Sequence, residues 1–145
     1  MKSLLPIGCA LLVAASTAFA GDGWQTDFKA ASAQAAKENK MILLDFTGSD
    51  WCGWCIKLDK DTFSKPEFQE FAAKNLVLVE IDFPQNKPQS DEVKKQNAEL
   101  EAKFGVQGYP TLVLLNSEGK EVARNVGYLR GGPAGFIDWV KAAKK

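Results

Sequence analysis

The stretch MILLDFTGSDWCGWC, residues 41–55, joins an apolar segment to two cysteines that are separated by two residues. The 145-residue chain contains no histidine. A Cys-His nucleophile, a Ser-His-Asp triad and a two-histidine zinc site are therefore excluded. The chemistry left to an isolated C-x-x-C pair is mainly thiol–disulfide exchange.

The spacing of the two cysteines is that of a pair at the start of a helix. If Cys55 lies on the first turn, the two sulfurs can form a disulfide with little backbone movement. Cys52 then lies at the helix N-terminus, where free amide groups and the helix dipole stabilise a thiolate. This placement predicts Cys52 as the nucleophile and Cys55 as the resolving thiol. We expect the sulfur of Cys52 to be exposed at the helix end and the sulfur of Cys55 to be partly covered. The carboxylate of Asp50 acts in the opposite direction, because a nearby negative charge raises a thiol pKa.

Two other interpretations of the cysteine pair remain open. A zinc site normally uses four Cys or His ligands, and the chain offers neither a second C-x-x-C motif nor a histidine. We therefore expect no metal. A purely structural disulfide is the stronger alternative, although closing so short a loop stabilises by only roughly 2 kcal/mol in the chain-entropy model.

Residues 1–20 have the pattern of a signal peptide. Lys2 precedes a mostly apolar stretch, and small residues at positions 18 and 20 form a cleavage site before Gly21. A lipid anchor at Cys9 is an alternative, but residues 6–8 make a poor lipobox. Cleavage leaves residues 21–145, the length of one domain. We expect export to a periplasm or the extracellular space, where a disulfide can persist.

The charge balance indicates no charged partner. The chain has 18 basic and 18 acidic residues, so its surface has no dominant sign. A nucleic-acid partner is not indicated, and we expect no stable membrane contact after cleavage. We expect a monomer.

The order of predicted elements is α-β-α-β-α-β-β-α. We predict one mixed sheet of about four strands with helices on both faces, an α/β fold, because a parallel pair with a helical crossover is followed by a hairpin. The predicted elements are helix 24–39, strand 41–46, a helix opening at the cysteines, a helix beginning near Ser64 with Glu67 in capping-box spacing, strand 76–83, helix 90–104, hairpin strands 111–115 and 120–128, and a final helix from Gly131.

Three motifs together resemble the thioredoxin superfamily, most closely its exported members with a W-C-G-W-C centre. They are Asp45-Phe46, the cysteine motif at 51–55, and Tyr109-Pro110-Thr111 before a strand. The resemblance covers roughly residues 41–140 and implies the thioredoxin fold. It implies a cis bond between Tyr109 and Pro110, with Pro110 against the disulfide and the backbone of Tyr109 pairing with a substrate strand. A turn-forming Gly108-Tyr109-Pro110 at a strand start is compatible with that bond, and an ordinary trans proline is the alternative.

Asp45 is the third candidate catalytic residue. A carboxyl group in an apolar strand is costly unless it is hydrogen-bonded or protonated, so we expect its pKa to be raised. The resemblance suggests that Asp45 accepts the proton of Cys55. Two departures from the family qualify this: the loop before Cys52 is one residue longer, and Leu78 occupies the position of a common lysine partner. The alternative is an aspartate hydrogen-bonded to the next turn.

The residues around the disulfide are candidates for substrate binding. Trp51 and Trp54 are expected to form an apolar surface beside it, together with Gly53, and the motif Tyr109-Pro110 is expected to complete the site. Trp54 stands where many relatives have proline or histidine, and it cannot stabilise a thiolate as a cation. For Trp51, packing in the core is the alternative.

These features predict an exported thiol–disulfide oxidoreductase that exchanges electrons with protein disulfides and acts as a reductase. Its expected partners are protein disulfide substrates and a second thiol protein that transfers electrons, with no organic cofactor. Two alternatives remain: a non-catalytic binding module with a structural disulfide, and a disulfide isomerase.

Overall fold

The computed structural model describes residues 23–144, which form one mixed sheet with helices on both faces. In this part of the chain the sheet has five strands in the order β1-β3-β2-β4-β5. The elements are β1 (Trp24–Gln25), α1 (Phe28–Glu38), β2 (Met41–Thr47), α2 (Gly53–Leu58), α3 (Pro66–Asn75), β3 (Leu76–Asp82), α4 (Asp91–Phe104), β4 (Thr111–Leu115), β5 (Glu121–Val126) and α5 (Gly132–Ala143). A π-helical turn, Asp59–Phe63, continues α2.

The centre of the sheet follows from two apolar strands. β2 and β3 pair in parallel, as expected for strands joined by a helical crossover, and β2 pairs with β4 on its other side in antiparallel fashion. β4 and β5 then form the predicted hairpin. The single mixed sheet is thus confirmed, with the two-residue β1 added at one edge beside β3.

The two faces of the sheet carry separate apolar clusters. Alternate residues of β2 and β3 point to opposite faces, so Leu43 and Leu78 belong to one cluster while Leu44 and Val79 belong to the other. The first cluster packs under α3 and α5 and includes Phe136. The second packs under α1 and α4. Because helices cover both faces of the sheet, the polar side chains of β2 and β3 lie toward the ends of these strands.

The predicted start of the first helix at Trp24 was wrong. Trp24 lies in β1, where it pairs with Leu78, and the helix begins at Phe28 after Asp27, whose carboxylate accepts a hydrogen bond from the amide of Ala30 at 3.0 Å. The reason is that β3 offers an unpaired edge and an apolar face to this segment. The indole of Trp24 packs edge-on against Phe63, with ring centroids 5.1 Å apart.

The capping box predicted at Ser64 and Glu67 was also wrong. The helix α3 begins at Pro66 after Lys65, without a side-chain cap. The hydroxyl of Ser64 donates instead to the carbonyl of Asp59 at 2.6 Å. That carbonyl lies in the π-helical turn, so Ser64 ends this turn rather than starting the next helix.

The predictions for the N-terminus lie outside the described residues, because residues 1–20 are not among them. Between residues 23 and 144, the helices are all too short or too polar to cross a membrane.

Candidate active site

Cys52 and Cys55 form a disulfide at the start of α2, as the spacing predicted. Cys52 is the N-cap residue, with extended backbone angles of φ −83° and ψ 107°, and the Cα atoms are 5.2 Å apart. The amide of Cys55 donates to Sγ of Cys52 at 3.3 Å, and the amide of Ile56 donates to the carbonyl of Cys52 at 3.0 Å. The sulfur of Cys52 therefore occupies the position where free helix amides stabilise negative charge.

The predicted contrast in exposure between the two cysteines was wrong. We expected an exposed Cys52 and a partly covered Cys55, but Cys52 is 8% exposed and Cys55 is 5% exposed. The reason is that the sulfur of Cys52 turns back over the first helical turn toward the amide of Cys55. The two cysteines differ in what surrounds them, and much less in how much surface they expose.

Two carboxylates fasten the loop before the cysteines to the segment after β3. Asp82 accepts hydrogen bonds from the amide and the hydroxyl of Ser49, at 2.9 and 2.6 Å. Asp50 accepts from the amides of Gln85 and Asn86, at 2.9 and 2.7 Å. The hydrogen bond from Gln85 is the main cause that lowers the pKa of Asp50. The hydrogen bonds to these two carboxylates thus hold the loop before Cys52 against the end of β3 and the residues that follow it.

Trp51 lies at the outer side of the disulfide and is 41% exposed, so it is not a core residue. Its indole Nε1 donates to the carbonyl of Phe83 at 2.7 Å. Its ring meets the ring of Tyr109 edge-on, with centroids 6.0 Å apart. Trp51 therefore presents a fixed aromatic face at the rim of the site.

Trp54 is 60% exposed, the most exposed tryptophan of the described chain. It packs against Tyr128 with ring centroids 5.6 Å apart, and Tyr128 donates a hydrogen bond to Asp61 at 2.7 Å. Trp54 and Tyr128 line an open cavity of about 290 Å³, together with Pro110 and Arg130. Sequence reasoning missed Tyr128; its signal was an aromatic residue at the end of the second predicted hairpin strand.

The peptide bond between Tyr109 and Pro110 is cis, as the resemblance implied. The side chain of Tyr109 stacks on Phe83, with centroids 5.2 Å apart, and its hydroxyl donates a short hydrogen bond to Glu101. Burial and this hydrogen bond raise the pKa of the Tyr109 phenol. Together these contacts fix the loop that ends at Pro110 beside the disulfide helix.

Asp45 lies on β2 with 8% of its surface exposed, as the apolar strand predicted. Its Oδ1 accepts no hydrogen bond from any of residues 23–144, so the alternative of an aspartate tied to the next turn lacks support at that atom. Burial raises the pKa of Asp45 well above its usual range, and the charge of Glu80 raises it further. The prediction of a raised pKa is therefore confirmed.

Glu80 is a second carboxyl group at this place, and sequence reasoning missed it. It is the direct partner of Asp45 in the pairing of β2 with β3. Burial, followed by repulsion from Asp82, raises the pKa of Glu80 to about 7, while Lys87 opposes this shift. A signal was present, because each carboxyl group is the fifth residue of its strand, after four apolar ones.

Asp45, Glu80 and Cys55 line one cavity of about 350 Å³ beneath the disulfide. Asp59, from the π-helical turn, lines it as well. The described residues 23–144 contain no cluster of three or more Cys, Asp or Glu side chains placed to hold a metal ion. The arrangement is suited to a redox-active disulfide with proton-accepting groups on its inner side.

Comparison with known proteins places this geometry in a family. A family model described as a thioredoxin-like domain matches residues 28–144. The chain is 42% identical over 122 residues to a disulfide bond reductase, DsbH, from Chlamydia pneumoniae, which covers 84% of this chain and 72% of the relative. A solved structure titled DsbH oxidoreductase superposes with a TM-score of 0.78 at 39% identity, covering 94% of each chain.

A second relative is much longer than this chain. The thiol:disulfide interchange protein DsbD of Pasteurella multocida is 32% identical over 108 residues, which are 73% of this chain and 17% of the relative. The similarity to DsbD thus concerns one part of that protein.

Proposed function

We propose that this chain, which belongs to the thioredoxin-like domain family and is a thiol–disulfide oxidoreductase, acts as a reductase of protein disulfides. The observation that carries the proposal is the disulfide with Cys52 at the N-cap of α2 and Cys55 in the wall of a cavity shared with Asp45, whose buried Oδ1 accepts no hydrogen bond within residues 23–144. The direction of transfer is supported by the similarity to a protein named as a disulfide bond reductase.

In the proposed mechanism the reduced protein attacks with the thiolate of Cys52. A bond forms between Sγ of Cys52 and one substrate sulfur, and the substrate disulfide breaks, releasing its other sulfur as a thiolate. Asp45 then takes the proton from the Cys55 thiol. The Cys55 thiolate attacks Sγ of Cys52, which restores the disulfide and releases the second substrate thiolate. The protein is oxidised by two electrons, and a second thiol protein returns them.

The proposed substrate surface lies on the outer side of the disulfide. Trp51 and Trp54 supply exposed aromatic faces, and Gly53 lies between them, where an added Cβ would meet no atom within 4 Å. Tyr109 and Pro110 close the surface from the loop before β4. Such a surface binds an extended, partly apolar segment of a client protein that contains a disulfide.

We also propose that residues 1–20 direct the protein out of the cytoplasm and that residues 21–145 act there as a monomer. The support is the sequence pattern of residues 1–20 and the similarity to DsbH. Export is tested by fractionating cells that express the full chain and by determining the N-terminal residue of the recovered protein.

The redox potential of the Cys52–Cys55 pair tests the direction of transfer. A reductase requires a potential near that of thioredoxin, about −270 mV, whereas an isomerase is expected near about −180 mV. Equilibration with glutathione or dithiothreitol buffers, followed by alkylation of free thiols, measures it. A potential at the oxidising end would refute the reductase proposal.

The roles of the two cysteines are tested by trapping. Cys55→Ser is expected to accumulate mixed disulfides with client proteins through Cys52, whereas Cys52→Ser is expected to trap none. Both variants lose the disulfide, so each is the other's control for stability. If neither variant traps a client and the wild type does not reduce insulin, the reductase proposal fails.

A further inference from the structure

Near their C-terminal ends, the two central strands each carry an acidic residue on a face of the sheet that is otherwise apolar. On the face covered by α3, residue 43 of β2 and residue 78 of β3 are leucines of the core. Two positions further along, on the same face, stand Asp45 and Glu80. Since paired strands lie about 4.8 Å apart, these two carboxyl groups are neighbours that leave the sheet in the same direction.

Glu80 lies between two cavities, whereas Asp45 borders only the inner one. The inner cavity, of about 350 Å³, contains Asp45 and Cys55 in its wall. The outer cavity, of about 240 Å³, is lined by Glu80, Asp82 and Lys87 among others. A proton held by Asp45 thus has Glu80 as its neighbour on the way to the outer cavity.

The surroundings of Glu80 allow it to change its protonation state in neutral solution. Its charged neighbours are Asp45 on β2, Asp82 on its own strand, Asp59 in the π-helical turn and Lys87 in the connection after β3. Burial and repulsion from Asp82 raise the pKa of Glu80 to about 7, against the attraction of Lys87. The pKa of Asp45 is also raised well above its usual range, with burial as the main cause, so both carboxyl groups bind a proton more readily than an exposed carboxyl group does.

We propose that Glu80 relays protons between Asp45 and solvent during the resolving step. This inference rests on the proposed mechanism, in which Asp45 deprotonates Cys55. The thiol of Cys55 gives its proton to the Asp45 carboxylate, which passes it to the Glu80 carboxylate, and Glu80 releases it to water in the outer cavity. No electrons move in the relay; the pair on the Cys55 sulfur forms the new disulfide bond. Glu80 acts through Asp45 and does not touch the reacting sulfurs.

A purely electrostatic role for Glu80 has the opposite consequence. The negative charge of Glu80 raises the pKa of Asp45, so its removal leaves Asp45 more easily ionised. If Glu80 acted only through this charge, Glu80→Gln would shift the rise of the second phase with pH to lower pH, because Asp45 and Cys55 would both ionise more easily. A relay predicts a slower step, so the sign of the change distinguishes the two roles.

The experiment is a stopped-flow reaction of the reduced protein, in excess, with an aromatic disulfide that releases a coloured thiolate. The first phase reports the attack by Cys52, and the second phase reports the resolving step by Cys55. Glu80→Gln is expected to slow the second phase by about ten-fold near pH 7, less than the roughly 10²–10⁴-fold effect of losing a direct general base. The first phase should not change. At about pH 9, above an ordinary thiol pKa, the rates should converge because the Cys55 thiol then ionises without the relay.

Glu80→Asp is the rescue variant, because it keeps a carboxyl group at the wall of the inner cavity. It is expected to recover most of the second-phase rate near pH 7 and the pH dependence of the wild type. Glu118→Gln, an exposed carboxyl group in the β4–β5 turn, is the control for a lost charge. Far-ultraviolet circular dichroism establishes that each variant is folded.

The relay is overturned if the second phase of Glu80→Gln is unchanged or faster, or if Glu80→Asp is as slow as Glu80→Gln. The proposed function fails separately, if the wild type releases only one coloured thiolate or if Cys55→Ser still releases two. In that case the relay falls with it.

Discussion

The two sides of the Cys52–Cys55 disulfide differ in chemistry far more than the two cysteines differ in exposure. The outer side is an aromatic surface formed by Trp51, Trp54, Tyr109 and Tyr128, and Trp54 is 60% exposed. The inner side is a carboxyl cavity whose acidic residues are Asp45, Asp59 and Glu80, and Asp45 is 8% exposed.

This difference separates two tasks of thiol exchange. Aromatic side chains bind apolar or extended segments without accepting protons, so they suit the recognition of a client. Buried carboxyl groups with raised pKa values exchange protons near neutrality, so they suit the activation of the resolving thiol. Changes to the carboxyl cavity should therefore alter rates and pH dependence, and changes to the aromatic surface should alter affinity.

The largest effect is expected from Asp45→Asn. Loss of the base should slow the resolving phase by roughly 10²-fold near neutral pH. Attack by Cys52 should keep its rate, and single-turnover kinetics with the aromatic disulfide separate the two phases. Asp138→Asn on the exposed side of α5 is the matched control. A normal resolving phase in Asp45→Asn would show that the carboxyl cavity has no part in the reaction.

The pH dependence of stability should show the next largest effect. The folded protein binds a proton at Glu80 more tightly than the unfolded chain does, because the pKa is raised from 4.5 to about 7. This contribution to stability is present below about pH 4.5 and is lost as the pH rises to about 7. With a discount for the partial exposure of Glu80, the loss is roughly 2 kcal/mol. Asp45 acts in the same direction.

Urea unfolding of the oxidised protein across this pH range measures the effect. Glu80→Gln should flatten the curve, and the double variant Asp45→Asn/Glu80→Gln should flatten it further. Glu118→Gln should follow the wild type. A wild-type stability that rises between pH 4.5 and 7 would contradict the raised pKa values.

A smaller effect, on affinity alone, is expected from Trp54→Ala. The exposed indole contributes little to folding, so the free energy of unfolding should stay the same. The KM for a protein disulfide should rise about five-fold, or about 1 kcal/mol. The kcat and the reaction with the small aromatic disulfide should not change. An equal loss with both substrates would assign Trp54 to the chemistry of the disulfide instead.

The smallest effect is expected from Trp51→Phe. This change keeps an aromatic ring beside Tyr109 but removes the hydrogen bond from Nε1 to the carbonyl of Phe83. Because the bond is partly exposed, its loss should cost about 0.5 kcal/mol, measured by urea unfolding. The KM should change less than in Trp54→Ala. A larger KM change in Trp51→Phe would move the centre of client binding to Trp51.

Local signals predicted much of the molecule. The predicted helix 90–104 matches α4, where Ser90 accepts from the amide of Val93 at 3.2 Å and Gly105 ends the helix with a φ of 61°. The cysteine spacing predicted the disulfide at a helix start. Two predictions failed because another partner won. Trp24 joined the edge of the distant strand β3. Ser64 bound the carbonyl of Asp59 in the π-helical turn just before it, instead of capping the next helix.

In the candidate site, too, one residue was predicted from local sequence and another was missed. Asp45 stood out because an acidic residue in an apolar strand is unusual by itself. Glu80 occupies the same position in its own strand, but nothing in its local spacing connects it with the cysteines. Its importance depends on its neighbour, and that neighbour is 35 positions away along the chain.

The sequence by itself determined the reactive groups: two cysteines in helix-start spacing, no histidine, and two strands that each carry a carboxyl group after four apolar residues. Only the tertiary structure decided that Asp45 and Glu80 are paired and share a cavity with Cys55. The physical reason is that the register of two parallel strands is set by hydrogen bonds and core packing across the whole sheet. The spacing along the chain gives the order of the side chains, and the folded sheet determines which of them become neighbours.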